Sequence, residues 1–469
     1  MTDVNTATGA PESRWIQLFL WVFALSFAFD FRGDSGGSTV QMGFLGIALA
    51  AGGAVIALGY RHLRVRPGAW LLMLWWGFLG LSVLVAMFNG VNMGHYVRVI
   101  VPFALCGLGI AVAHIGACSG LTMTQIVTPV LIAVVINVAW RAVYGFAFMG
   151  VTLETVRVEI LSPGINWLTA FIACAVLFRK GFSLRLLMII GLVFAILFMS
   201  VTRGPLLPMA VGGTMALGCM VLAICWRLIP VEWAGRKLAG LAVFGVVMLV
   251  VGGTIVMSQP EIYERWAERL FNQAGGVTSK DLSWLTREAE AKAMIDILKG
   301  APTTFVYGQG VGADYYWDPS YYPELYLVYP ADFDFSGAFW FAGHSVWTYA
   351  LFSGGVLGVL FHLALFGGVM ALCLRSVYVN RALPGFRLDY AFLPFVAAWC
   401  LLSESATSNP FDERLAGLVF GMMAGLPQVL FLRARAAYAR HTVPARVVSR
   451  RASAGVHGGS VEPLPVRIS

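Results

Sequence analysis

The chain has 469 residues, of which 59% are hydrophobic and only 12% charged, with a formal net charge of +8. A mean hydropathy of +0.77 excludes an ordinary soluble domain and marks a polytopic membrane protein. In that setting the basic excess reads as the sidedness of loops across a bilayer, not as a nucleic-acid footprint.

Twelve apolar segments are predicted as membrane spans, at about 15–31, 40–58, 69–88, 95–115, 126–147, 164–178, 184–200, 206–228, 237–257, 344–373, 389–403 and 414–432. The first has no small-residue cleavage site after it and is read as a retained span, not a signal peptide. The chain thus divides into nine spans (1–257), a long polar insertion (258–343), three further spans (344–432) and a basic, flexible tail (433–469).

Alternate loops carry the basic residues. Arg61, Arg64 and Arg66 come first, then Arg179, Lys180 and Arg185, then Arg227, Arg236 and Lys237, then Arg375, Arg381 and Arg387, and the tail from Arg433 onward. All fall on one side of the predicted topology. That side is expected to be cytoplasmic, with both termini there. The seven cysteines lie in or at the ends of apolar spans and form no C-x-x-C, so they read as small buried hydrophobes.

The insertion at 258–343 lies on the opposite, outer face, and a loop of that length in a compact fold is usually functional. EIYERWAERLF (261–271) has the spacing of a helix lying in the interface. A second helix is expected over about 281–299, started by Asp281 or Ser283 and ended by Gly300 and Pro302. An aromatic-rich stretch follows, with Tyr315, Tyr316, Trp317, Tyr321, Tyr322 and Trp340. It reads either as an interfacial belt or as a platform that stacks sugars. GQGVG (308–312) follows no predicted strand and reads as a turn, not a nucleotide loop.

Of the seven histidines, only His95 and His344 fall on the outer face. His344 stands at the head of a predicted helix. Thr348, Leu351, Gly355 and Gly358 share its face, and the two glycines are expected to allow close helix packing in lipid. Arg203 stands beside Pro205 at the predicted start of a span, where a guanidinium and unpaired backbone N–H groups both favour an anion. Arg98 and Arg141 lie inside apolar spans, where a charge is costly and usually functional. The insertion adds Arg265, Arg269 and Arg287, interleaved with acids such as Glu288 and Glu290. A cationic site with one histidine at the outer surface suits a lipid-linked phosphate or pyrophosphate.

These residues resemble the bacterial O-antigen ligases. His344 and Gly355 match an H-x10-G pattern, and Arg203 with Leu207 matches R-x3-L. TREAEAKAMIDILKGAPTTFVYGQGVG (286–312) is similar to the family's arginine, amphipathic helix and Gly-rich turn, with the arginine at Arg287. The family often has an aromatic shortly after that arginine. Here Ala289 and Ala291 stand nearby.

The resemblance implies an all-α membrane protein of the glycosyltransferase C class, in the bacterial inner membrane with a periplasmic active site. It implies transfer of O-antigen from undecaprenyl pyrophosphate to lipid A–core oligosaccharide, with inversion and without metal or other cofactor. His344 would be the general base. Arg203 and Arg287 would hold the pyrophosphate, with Arg98, Arg141, Arg265 and Arg269 in a second rank argued from position. Asp332 and Asp334 leave a divalent cation open as an alternative. An O-antigen polymerase, a protein O-oligosaccharyltransferase and, more distantly, a lipid or anion transporter are the rival readings.

Overall fold

A computed structural model describes residues 11–31, 39–150, 160–258, 263–267, 282–300, 302–316, 340–383, 385–406 and 408–452. The described residues are helical throughout, apart from connections and one isolated bridge between Tyr315 and Trp340. In chain order the helices are α1 (Pro11–Leu25), α2 (Thr39–Gly59), α3 (Ala69–Phe88), α4 (Met93–Cys118), α5 (Met123–Ala147), α6 (Ile165–Phe178) and α7 (Leu184–Ser200). They continue with α8 (Leu206–Cys225), α9 (Val231–Met257), α10 (Leu282–Lys299), α11 (Val346–Val379), α12 (Leu393–Glu404), α13 (Arg414–Gly425) and α14 (Pro427–Ala452).

Each predicted span overlaps a helix. Seven of these are long and apolar enough to cross a membrane: α2, α3, α4, α5, α8, α11 and the run formed by α13 and α14. A crossing takes about 20 residues. α6, α7 and α12 are apolar but have only 14, 17 and 12 residues. Twelve crossings are therefore more than length and composition establish. α14 is helical to Ala452, so residues 433–452 are not the unstructured tail that composition suggests.

Helix α4 is the axis of the bundle, with almost every position from Phe103 to Ala117 buried. Against it lies α13, running parallel. A β-carbon at Gly417 would stand 2.1 Å from the Pro102 carbonyl oxygen, one at Gly421 2.1 Å from that of Cys106, and one at Gly425 2.9 Å from that of Ile110. Glycines four residues apart thus face carbonyls four residues apart. In lipid, where burial of apolar surface gives little drive between helices, such close approach supplies the packing energy.

The connections sort to two ends. At one end, Arg179 pairs with Asp389 at 2.7 Å, Lys237 donates to the Arg179 carbonyl at 2.9 Å, and Gly68 donates to Gln428 at 3.0 Å. The described basic loops of the sequence gather here. At the other end lie the α3–α4, α7–α8 and α12–α13 connections, α10 and the segment before α11.

Candidate active site at His344

The histidine does not begin a helix. α11 starts at Val346, and His344 ends an extended segment, 340–344, that leads into it. Face-sharing along α11 therefore does not apply to it.

That segment is held at every carbonyl from 340 to 343. The Trp340 carbonyl accepts from Tyr315 N at 2.7 Å, and Phe341 from the Tyr349 hydroxyl at 2.9 Å. Ala342 accepts from the Tyr315 hydroxyl at 3.0 Å, and Gly343 from Asn409 Nδ2 at 3.2 Å. The His344 N–H itself points at Glu290, 3.3 Å from Oε1. A side chain on so constrained a backbone is positioned before any ligand arrives.

Glu290 orients the ring. Its oxygens stand 3.2 and 3.3 Å from His344 Nδ1, and its side chain is 3% exposed against 50% for the histidine. An ionised carboxylate only accepts, so Nδ1 carries the proton and the neutral ring keeps its lone pair on Nε2. The same carboxylate accepts from the Tyr315 hydroxyl. The hydrogen bond that Nδ1 donates to Glu290 is the main cause that raises the His344 pKa above its ordinary 6.5. Burial opposes it, the charges of Glu290 and Asp412 reinforce it, and Arg287 opposes it.

Sequence reasoning named Glu290 only as one of the acids interleaved with the basic residues of the insertion. The available signal was its register. Leu285, Ala289, Ala293, Met294 and Leu298 form the buried stripe of α10, and Glu290 sits beside Ala289 on that stripe. A carboxylate there needs a partner.

Arg287 lies one turn before Glu290 on α10 and is half-buried. Burial lowers its pKa first of all, Glu290 opposes that, and the positive charge of Arg203 lowers it further. Arg203, from the α7–α8 connection, is thus near enough for its charge to act on Arg287, although 84 positions separate them in the chain. Arg203 is exposed.

The lower-ranked arginines have different surroundings. Arg265 sits on a short helix at 263–267, whose Trp266 indole donates to the Phe198 carbonyl near the end of α7, at 3.0 Å. Arg98 is exposed and lies over the Phe341 ring at 5.5 Å, while His95 stacks on that ring at 4.2 Å and pairs with Asp314 at 2.7 Å. Arg141 does not face the outer surface as a phosphate ligand would. It is 2% exposed, clamps Glu413 with both terminal nitrogens and donates to the Leu161 carbonyl at 3.0 Å. The acid was invisible to local reading because it lies 272 residues away. Arg269, Asp332 and Asp334 lie outside the described residues.

Gly355 packs its backbone closely against the short helix Thr304–Tyr307, and Gly358 stands just past a kink in α11. Gly355 has φ 62° and ψ −160° and breaks α11. A β-carbon there would stand 2.4 Å from the Val306 carbonyl, and one at Gly358 2.5 Å from the carbonyl of Ala350 in the first half of the same helix. The break frees two carbonyls, which the turn at 308–312 caps: Gln309 N donates to Phe352 O at 2.7 Å, and Gly310 N to Ser353 O at 2.9 Å. Gly308, Gly310 and Gly312 all have positive φ, which lets that turn wedge between α3, α4 and the kink. The Gly-rich turn is a structural plug that ties α10 to the helix after His344.

Among the described residues these features define an all-helical, membrane-embedded protein with a histidine–carboxylate pair at one end of its bundle and two arginines whose charges act on each other there. No family model matches the chain, and no curated protein matches it.

Proposed function

We propose that the protein is a glycosyltransferase of the O-antigen ligase type, with about twelve membrane crossings and a glycosyltransferase C-type fold. It transfers an O-antigen glycan from undecaprenyl pyrophosphate to lipid A–core on the periplasmic side of a bacterial inner membrane. The observation that carries this reading is a histidine whose ring is oriented by a buried carboxylate, with the charge of Arg287 acting on it and that of Arg203 acting on Arg287. Two like charges held together favour a polyanion between them, and guanidinium groups match phosphate oxygens bidentately.

In this reading His344 Nε2 takes the proton of an acceptor hydroxyl. The hydroxyl oxygen bonds to the anomeric carbon from the face opposite the pyrophosphate, and the carbon–oxygen bond to the pyrophosphate breaks, with inversion. Arg203 and Arg287 stabilise the charge that the departing pyrophosphate gains. Glu290 keeps Nδ1 protonated and steadies the imidazolium until its proton is released.

The test is transfer by purified wild type and His344→Ala, with undecaprenyl-pyrophosphate glycan, lipid A–core and a competing lipid-linked glycan. Labelled lipid A–core from wild type, lost in an equally folded variant, supports the ligase. Lengthening of glycan on the carrier makes the protein a polymerase. An alanine variant at wild-type rate removes His344 from the chemistry.

A further inference from the structure

Tyr315 is a buried phenol that the proposed chemistry does not use. It is 2% exposed and sits where three parts of the site meet. Its backbone pairs with Trp340 in both directions, at 2.7 and 2.9 Å. Its hydroxyl faces two acceptors, Glu290 Oε1 and the Ala342 carbonyl at 3.0 Å. A phenol carries one proton. The charged acceptor attracts it more strongly, because hydrogen bonds to an ionised group are about twice as strong as neutral ones.

Oε1 is also an acceptor for His344, lying 3.3 Å from both Nδ1 and the backbone N. Tyr315 and His344 therefore share Oε1 of one carboxylate, whose Oε2 also lies 3.2 Å from Nδ1. Any charge density that the phenol draws from Oε1 is lost to the imidazole. The other charged groups acting on this pair are Arg287 on α10 and Asp412 between α12 and α13, and Tyr349 on α11 is the remaining titratable neighbour of Tyr315.

We propose that Tyr315 is a positioning residue for His344: its hydroxyl fixes the Glu290 carboxylate against the 340–344 segment and, by sharing Oε1, limits how tightly that carboxylate holds the imidazole proton. The role rests on the proposed part of His344 as a base, since a base must give up its proton between turnovers. A bare carboxylate would keep the ring charged over more of the neutral range, and a missing one would leave it poorly oriented. Tyr315 sets the intermediate case.

The consequence is a pair of opposite shifts. Removing the phenol hydroxyl in Tyr315→Phe strengthens Glu290 as a partner and moves the His344 titration up. Removing the carboxylate charge in Glu290→Gln moves it down. A change that only loosened the site would move both in the same direction, toward the ordinary value.

The experiment is carbethoxylation of His344 in the purified, detergent-solubilised full chain, measured by peptide mass spectrometry as a function of pH. The reagent attacks neutral imidazole, so the rate reports the titration without any glycan substrate. The expected result is a midpoint higher in Tyr315→Phe and lower in Glu290→Gln than in wild type. An unchanged midpoint in Tyr315→Phe, or shifts of the same sign in both variants, overturns the proposal. If Tyr315→Phe does not fold, 3-fluorotyrosine at 315 keeps the ring and donates more strongly, and its midpoint must fall. A midpoint that stays or rises there overturns the proposal equally. If the shifts appear while no glycan transfer is found, the proposed reaction fails and the Tyr315–Glu290–His344 coupling stands.

Discussion

The Glu290 carboxylate lies 3.2 Å from Nδ1 of His344, across 54 positions of sequence, and is almost wholly removed from solvent while the imidazole is half exposed. The buried partner is fixed and the exposed one is aimed. This asymmetry suits a base whose outer nitrogen meets a substrate and whose inner nitrogen must not move.

The pH dependence of transfer follows from this pair. The His344 pKa is raised above 6.5, chiefly by the hydrogen bond it donates to Glu290. A base works as the neutral ring, so transfer rises with pH and its acid limb has a midpoint above 6.5. His344→Ala lowers the rate by about 10²–10⁴-fold. Initial rates from pH 5 to 9 check both, and an acid midpoint below 6.5 contradicts the assignment.

The same shift links pH to stability. The folded protein binds this proton more tightly than the unfolded chain. The contribution of the pair is therefore fully present below about pH 6.5 and is lost as pH rises through the higher folded value. Thermal melts of wild type and Glu290→Gln should differ most at pH 5.5 and converge toward pH 9.

Arg203 and Arg287 are predicted to act as a unit. Each alanine variant loses about 10²–10³-fold in transfer, the scale of one lost donor to a developing charge. The double variant loses less than the product, because the two share one ligand. A double-mutant cycle on kcat/KM checks this, and strict additivity would separate them.

Arg141 and Glu413 are predicted to matter for stability instead. Glu413→Ala leaves a guanidinium that is 2% exposed without its partner and costs about 3–5 kcal/mol. Arg141→Met with Glu413→Leu recovers most of that loss. Melting in detergent checks it. A fully stable Arg141→Ala that had lost transfer would instead return Arg141 to the ligand-binding set.

Gly355→Ala is predicted to cost about 1–3 kcal/mol for its backbone conformation alone, before the clash with Val306. Because the 308–312 turn plugs the kink, Gly308→Ala should weaken stability and transfer together. An effect on melting without any on transfer would uncouple the plug from the site.

Much of the helical scaffold was legible because membrane spans announce themselves locally. Apolar runs such as 69–88 and 126–147 needed only length and composition, and α10 needed only its N-cap candidates and its Gly-Pro end. The basic loops predicted one end of the bundle for the same reason. His344 and Arg203 stood out because ionisable residues are sparse in so apolar a chain, whereas Arg287, among the charges of the insertion, was singled out only by the resemblance.

What the sequence by itself determined was an all-helical membrane protein, with His344, Arg203 and Arg287 as candidates for its site. Tertiary structure alone decided their partners. Glu290 and Glu413 look alike as isolated acids, yet one orients a histidine and the other neutralises a buried arginine. Gly355 and Gly421 look alike as small residues, yet one breaks a helix and the other brings two together. Local pattern fixes which groups prefer helix or lipid. Whether a charge is satisfied, or a glycine is needed for its φ or its missing side chain, depends on atoms brought near from tens to hundreds of residues away.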